Sequence, residues 1–204
     1  MLIFAIAAGV GVAAGLVLGG RISGLAGVRL RAPALIWLAL GMQVGLGLPA
    51  ARDLAGATRF GVVVASYGLI GAWLAANAAA QRAAMRAALG LLAAGWLLNL
   101  VVMVPNGGMP VSTQALDDIG AGASLDVEEG HLWKHVELSE STVLPVLADV
   151  MPVPALGSAV SAGDVAMVGG IAVLIAAAMV QPGRRQPDEN PYRPAVPSPS
   201  SASR

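Results

Sequence analysis

Asp149 and Asp164 are the residues with the most chemistry in this chain. They stand fifteen positions apart, with Pro152 and Pro154 between them. Two carboxylates that meet away from water cannot both ionise cheaply, and the proton they share is what an aspartyl hydrolase uses. The separation and the two prolines permit such a meeting. A structural role competes for each. Ser161-Ala162-Gly163-Asp164 has capping-box spacing, with Asp in place of the usual Glu, and an acid there faces the favourable end of the helix dipole. Asp149 has the spacing to cap the Pro152 turn or to pair with Lys134. His131 and His135 are four apart, so on a helix they share a face and suit zinc, with Glu128 or Glu137 as a third ligand. The Glu of the metalloprotease motif is missing, and no metal is expected. The alternative is a solvated polar turn, in which imidazole titrates near neutrality.

The solvent around these residues follows from composition. Of 204 residues, 56% are hydrophobic and 12% are charged. Mean hydropathy is +0.73. Soluble domains carry about 25% charged residues, so a water-soluble fold is excluded. The chain has no cysteine, which removes disulfides, Cys-ligated zinc and thiol catalysis. No other cofactor is expected. A formal net charge of +0 gives no bias toward nucleic acid.

Spanning a ~30 Å hydrocarbon core takes about 20 apolar residues. Residues 1–20, 32–51, 60–81, 87–116 and 165–183 are free of charge. They predict five transmembrane helices at about 2–20, 33–50, 60–80, 87–104 and 163–180, the fourth ended by Pro105-Asn106-Gly107-Gly108. Arg21, Arg29, Arg31, Arg82, Arg86, Arg184, Arg185, Arg193 and Arg204 then fall on one side, against Arg52, Arg59 and Lys134 on the other. The positive-inside rule makes the first side cytoplasmic, with the N-terminus outside and the C-terminus inside. A cleaved signal peptide has a basic start and a shorter apolar run. Here the basic cluster follows the run, so a retained first helix is expected.

Small residues set the packing, because helices in lipid associate through close backbone approach. Gly11, Gly15 and Gly19 form a row on the first helix, Gly41 and Gly45 on the second, Gly61 and Gly68 on the third, and Gly169 and Gly170 lie on the fifth. These rows are packing faces inside one bundle; the alternative for Gly11, Gly15 and Gly19 is a homo-oligomer interface. Residues 182–204 are rich in Pro, Ser and Arg and read as a disordered cytoplasmic tail.

Residues 105–162 form the one long connection, placed outside. A short helix is expected over 113–119, capped by Ser112 or Thr113. Residues 121–130 read as a mobile acidic loop, and 131–138 as a further helical turn with Trp133 at the interface. Ser141 to Met151 is too short to span and predicts a re-entrant or interfacial half-helix, stopped by Pro152 and Pro154.

The run Asn106-Gly107-Gly108-Met109-Pro110, then Lys134-His135, Thr142, Leu144, Leu147 and Asp149, then Ser161, Gly163 and Asp164 resembles an uncharacterised bacterial membrane-protein family, a domain of unknown function, over about residues 1–180. That resemblance implies a small multi-helix integral membrane protein and no activity. A fainter similarity is to lipoprotein signal peptidase, an intramembrane aspartyl protease. It would map Asp149 and Asp164 onto the aspartate pair and Asn106 onto an outer Asn-x-Gly element. The Asn-x-x-Asp-Arg motif of that family is missing, Ser161 stands where an Asn would precede Asp164, and a fifth span is added.

The expectation is therefore an all-α, five-helix bundle of the bacterial cytoplasmic membrane, in contact with the lipid bilayer. Its outer face carries a polar site of Asn106, His135, Asp149 and Asp164. The leading class is a non-enzymatic component binding a small ligand, a lipid headgroup or a partner protein there. An aspartyl hydrolase is the alternative and a small-molecule transporter the third, although helices one to four lack the charged or broken segments a transporter uses.

Overall fold

The computed structural model of the protein describes residues 2–51, 53–120 and 135–180. It contains helices α1 (Leu2–Val17), α2 (Pro33–Leu46), α3 (Gly56–Ala78), α4 (Ala83–Asn106), α5 (Thr113–Asp117) and α6 (Ala162–Met179). Four three-residue strands lie between α4 and α6: β1 (Met109–Val111), β2 (His135–Glu137), β3 (Met151–Val153) and β4 (Ser158–Val160). The molecule is a helical membrane bundle with a small mixed cap at one end.

Packing runs in the order α1, α6, α4, α3, α2. Neighbouring directions follow from paired residues. Gly11 meets Ala172 and Gly15 meets Met179, so α1 and α6 are parallel. Gly95 meets Gly163 while Leu92 meets Gly170, so α4 and α6 are antiparallel. A Cβ on Gly11 would lie 2.7 Å from the Ala172 carbonyl oxygen, and one on Gly15 would lie 2.7 Å from the Met179 sulfur. Gly11 and Gly15 are thus occupied within the chain by α6, whereas Gly19 lies past the end of α1 with nothing against it. Gly41, Gly45, Gly61 and Gly68 by contrast face open space.

Helices α3, α4 and α6, of 23, 24 and 18 residues, are long and apolar enough to cross a membrane. The two others fall short of the lengths expected from 2–20 and 33–50. α1 has 16 residues and α2 has 14, about 24 and 21 Å at 1.5 Å per residue. Uncharged sequence continues past both, but turn chemistry stops them. Gly19 sits at φ 77, Gly20 N–H returns to the Gly15 carbonyl at 2.8 Å, and α1 closes in a Schellman turn. α2 ends at Gly47, two residues before Pro49. α3 starts four residues earlier than expected, with Arg59 in its first turn. Charge-free length measures hydrocarbon depth and does not mark helix ends.

α4 also runs further than expected, through Pro105 to Asn106. Gly107 at φ 70 then closes it, with Gly108 N–H on the Met103 carbonyl at 3.1 Å. α5 is capped by Ser112, whose Oγ accepts from Ala115 N–H at 3.2 Å.

The half-helix expected over residues 141–151 does not form. Leu144 is left-handed (φ 57, ψ 54), Pro145–Leu147 is a single 3-10 turn, and Ala148 is extended. The residue before a proline is driven out of the α region, and downstream the backbone is taken by strand pairing. Residues 121–134, including His131, Trp133 and Lys134, and the tail 182–204 lie outside the described residues.

The core falls into three clusters. Leu46, Val63, Val102, Met103 and Met109 join the bundle to β1, with Val62, Tyr67 and Leu147 packed on them. Val111, Ala115, Leu116 and Ala159 form the heart of the cap. Trp73, Leu74 and Leu89 pack at the opposite end. There Asn77 accepts from Arg31 N–H at 2.8 Å and donates to the Arg31 carbonyl at 3.0 Å.

Candidate functional site at the cap end

β1 organises the cap. On one edge it pairs in parallel with β2, with Met109 opposite His135 and Val111 opposite Glu137. On its other edge Val111 bridges Asp149. Asp149 N–H donates to the Pro110 carbonyl at 2.9 Å and Ser112 N–H donates to the Asp149 carbonyl at 3.0 Å. Pro110 has no N–H to offer, so its carbonyl is the group that recruits Asp149.

Facing residues on paired strands point to one side, and alternate residues return to it. His135, Met109, Val111 and Asp149 therefore share a face, and Met109 and Val111 are in the buried clusters. Their arrangement brings His135 Nε2 to 3.6 Å from Asp149 Oδ2. Asp149 is 4% exposed, and the His135 side chain is 22% exposed. The pair is ionic only when the imidazole is protonated.

Asp164 belongs to a second group. The capping box expected from Ser161-Ala162-Gly163-Asp164 is present. Asp164 N–H donates to Ser161 Oγ at 3.0 Å and Ser161 N–H donates to Asp164 Oδ2 at 3.2 Å. The box extends across the bundle to Asn99 on α4. Asn99 Nδ2 donates to Asp164 Oδ1 at 2.9 Å, and Ser161 Oγ donates to Asn99 Oδ1 at 3.0 Å. Asn99 and Ser161 are buried, and a buried amide is tolerable only when bonded in this way. The crossing is close enough that a Cβ on Gly163 would collide with Asn99 Oδ1.

Asn106 is placed differently. Its Nδ2 donates to the Val102 carbonyl at 2.7 Å and to the Val143 carbonyl at 2.9 Å, and its Oδ1 accepts from Val143 N–H at 2.9 Å. It bolts the loop to α4. Of the four residues expected to make a site, His135 and Asp149 meet directly, Asp164 caps α6 and binds α4, and Asn106 clamps backbone.

Tyr67 packs on the cluster containing Met103 and Met109. Trp96 Nε1 donates to its carbonyl at 3.0 Å, fixing α3 against α4. Asn99 was not expected as a site residue. An amide inside an otherwise apolar stretch of α4 was the signal for it. No group of three or more His, Cys, Asp or Glu suited to a metal occurs among the described residues. At this end Asp53, Asp117, Asp118, Glu137, Glu140, Asp149 and Asp164 are acidic, and Arg59 is the one arginine or lysine among the described residues.

Fold and cluster define the class: an apolar helical membrane bundle, capped at one end by short strands that hold a buried acid against an imidazole. The chain matches the family of unknown function DUF5317 over residues 27–176, and belongs to it. The match bears out the resemblance to an uncharacterised family, but it begins at residue 27, beyond α1. Neither a curated protein nor a solved structure matches the chain.

Proposed function

We propose that the protein is a non-enzymatic membrane component that binds a small cation at the His135–Asp149 cluster. The cation is an organic amine, free in solution or carried on a lipid headgroup. The observation that carries this reading is Asp149, 4% exposed yet drawn onto the face of His135 by the edge of β1. Removing a carboxylate from water costs several kcal/mol by the general estimate, so positive charge nearby is strongly favoured. His135 supplies it only when protonated; a bound amine supplies it at any pH below its own titration. The excess of acids at this end adds a field of the same sign.

In this reading all five long helices cross the bacterial cytoplasmic membrane, α1 and α2 with help from the residues flanking them. The cap lies outside, because the larger group of arginines belongs to the other end. Binding is preferred to bond cleavage because Asp164, the other half of an aspartyl pair, already spends both oxygens on Asn99 and Ser161.

The test is the melting temperature of the purified protein in phosphatidylcholine nanodiscs, with alkylamine titrated in, and separately in nanodiscs containing phosphatidylethanolamine. Wild type should be stabilised by one or both, and Asp149→Asn should lose the shift while keeping its helical circular dichroism. A shift with free amine alone identifies a soluble ligand; a shift with the ethanolamine lipid alone identifies a headgroup. Equal shifts in wild type and Asp149→Asn, or none in either arm, would overturn the proposal. A C-terminal reporter active on the far side of the membrane would overturn the orientation.

A further inference from the structure

We propose that residues 143–147 are a shallow lipid anchor, seated in the leaflet at the cap end of the bundle. This surface is separate from the amine cluster and does not depend on it. The segment from Ser141 to Ala148 carries no charge. Val143, Leu144 and Val146 are 46%, 41% and 76% exposed. Leu147 turns inward onto the cluster of Val102 and Met103, so the 3-10 turn lies against α4 with Val146 directed away.

Three further observations select lipid as the occupant. The first is position: the Asn106 clamp on Val143 N–H and carbonyl fixes the loop at the last turn of α4. Over the same turns α4 presents exposed apolar side chains of its own, with Val101 43% and Val104 48% exposed. The second is that part of the loop's backbone is satisfied within the chain, which lowers the cost of leaving water. Leu147 N–H bonds Leu144 and Ala148 N–H bonds Pro145, Asn106 serves both Val143 groups, and Pro145 has no N–H to satisfy. The third is conformation: Leu144 holds a left-handed φ of 57, which leucine disfavours, and keeps its side chain exposed while doing so. Apolar groups in this posture gain from entering an acyl boundary.

The chain has no cysteine, so single-cysteine spin labels report without background. In nanodiscs, labels at Val146→Cys and at Val104→Cys on α4 should both collide with oxygen in preference to an aqueous nickel chelate. Ser139→Cys, in the polar turn before the loop, should show the reverse. If Val146→Cys behaves like Ser139→Cys, the loop is in water and the proposal fails. If it is shielded from both colliders, a protein surface covers it and the proposal fails equally. An aqueous reading at Val104→Cys as well would remove the membrane surface on which the anchor rests, and the anchor with it.

Discussion

Asn99 on α4 donates to the Asp164 carboxylate at the start of α6, at 2.9 Å. Its amide oxygen takes the Ser161 hydroxyl at 3.0 Å, so one side chain joins the longest helix to the capping box of the last. The residue with the most obvious acid–base potential in the sequence is therefore first a structural joint.

Asn99→Leu removes that joint and leaves the Ser161 hydroxyl and one Asp164 oxygen without their partner. The expected loss is roughly 1–2 kcal/mol, the scale measured for interhelical polar contacts in membranes and for orphaned buried polar groups. Asp164→Asn keeps one oxygen and should destabilise less than Asp164→Ala. Melting temperatures in a single detergent order the three variants. If Asp164→Asn abolishes amine binding without lowering the melting temperature, the structural account of Asp164 is wrong.

Gly163 and Gly169 make a paired test on one helix. A Cβ at Gly163 collides with Asn99 Oδ1, whereas one at Gly169 meets only Leu91 Cδ2 at 3.4 Å. Gly163→Ala should force α4 and α6 apart and lower stability by the 1–3 kcal/mol typical of overpacking. Gly169→Ala should be near neutral or slightly stabilising, since alanine favours helix by up to about 1 kcal/mol. Similar melting temperatures for the two would disprove the close crossing.

The same logic separates the glycine rows. Gly11→Leu places a side chain against the α6 backbone and should sharply reduce the folded yield. Gly41→Leu enters open space on α2 and should accumulate normally. Expression and monodispersity of the two variants, compared by size-exclusion chromatography in detergent, decide the point.

Asn106→Ala deletes the clamp between α4 and the loop. Hydrogen exchange should rise at Val143, whose N–H loses its acceptor, with little change along α3 or α6. Protection retained at Val143 would mean that the 3-10 turn holds itself and that Asn106 is dispensable.

Much of this architecture was legible in the residues, for definable reasons. Lipid makes apolar length the dominant signal, so the helices of 23, 24 and 18 residues announce themselves. The Ser161–Asp164 box and the Ser112 cap are local, since everything they need lies within four residues. The cap between them was misread. Alternating valines and prolines over 143–153 carry no length signal, and an apolar run beside a membrane invites a helix. Its actual structure is set by a partner more than thirty residues away, where Pro110 and Ser112 hold Asp149. The site suffers from the same limitation. His135 and Asp149 were both singled out, but their meeting depends on β1 lying between two chain segments. Asn99 escaped notice because an amide carries no charge and so leaves the charge-free run of residues 87–116 unbroken.

The first helix lies alongside the last, not alongside the second. Arg21 N–H bonds the Met179 carbonyl at 3.0 Å, and Gly11 and Gly15 of α1 lie close against α6. The residues that meet there, Gly11 with Ala172 and Gly15 with Met179, come from opposite ends of the described bundle. Closure of the bundle is therefore a long-range event, and a chain stopped before residue 162 leaves α1 without the neighbour its Gly11 and Gly15 are shaped for.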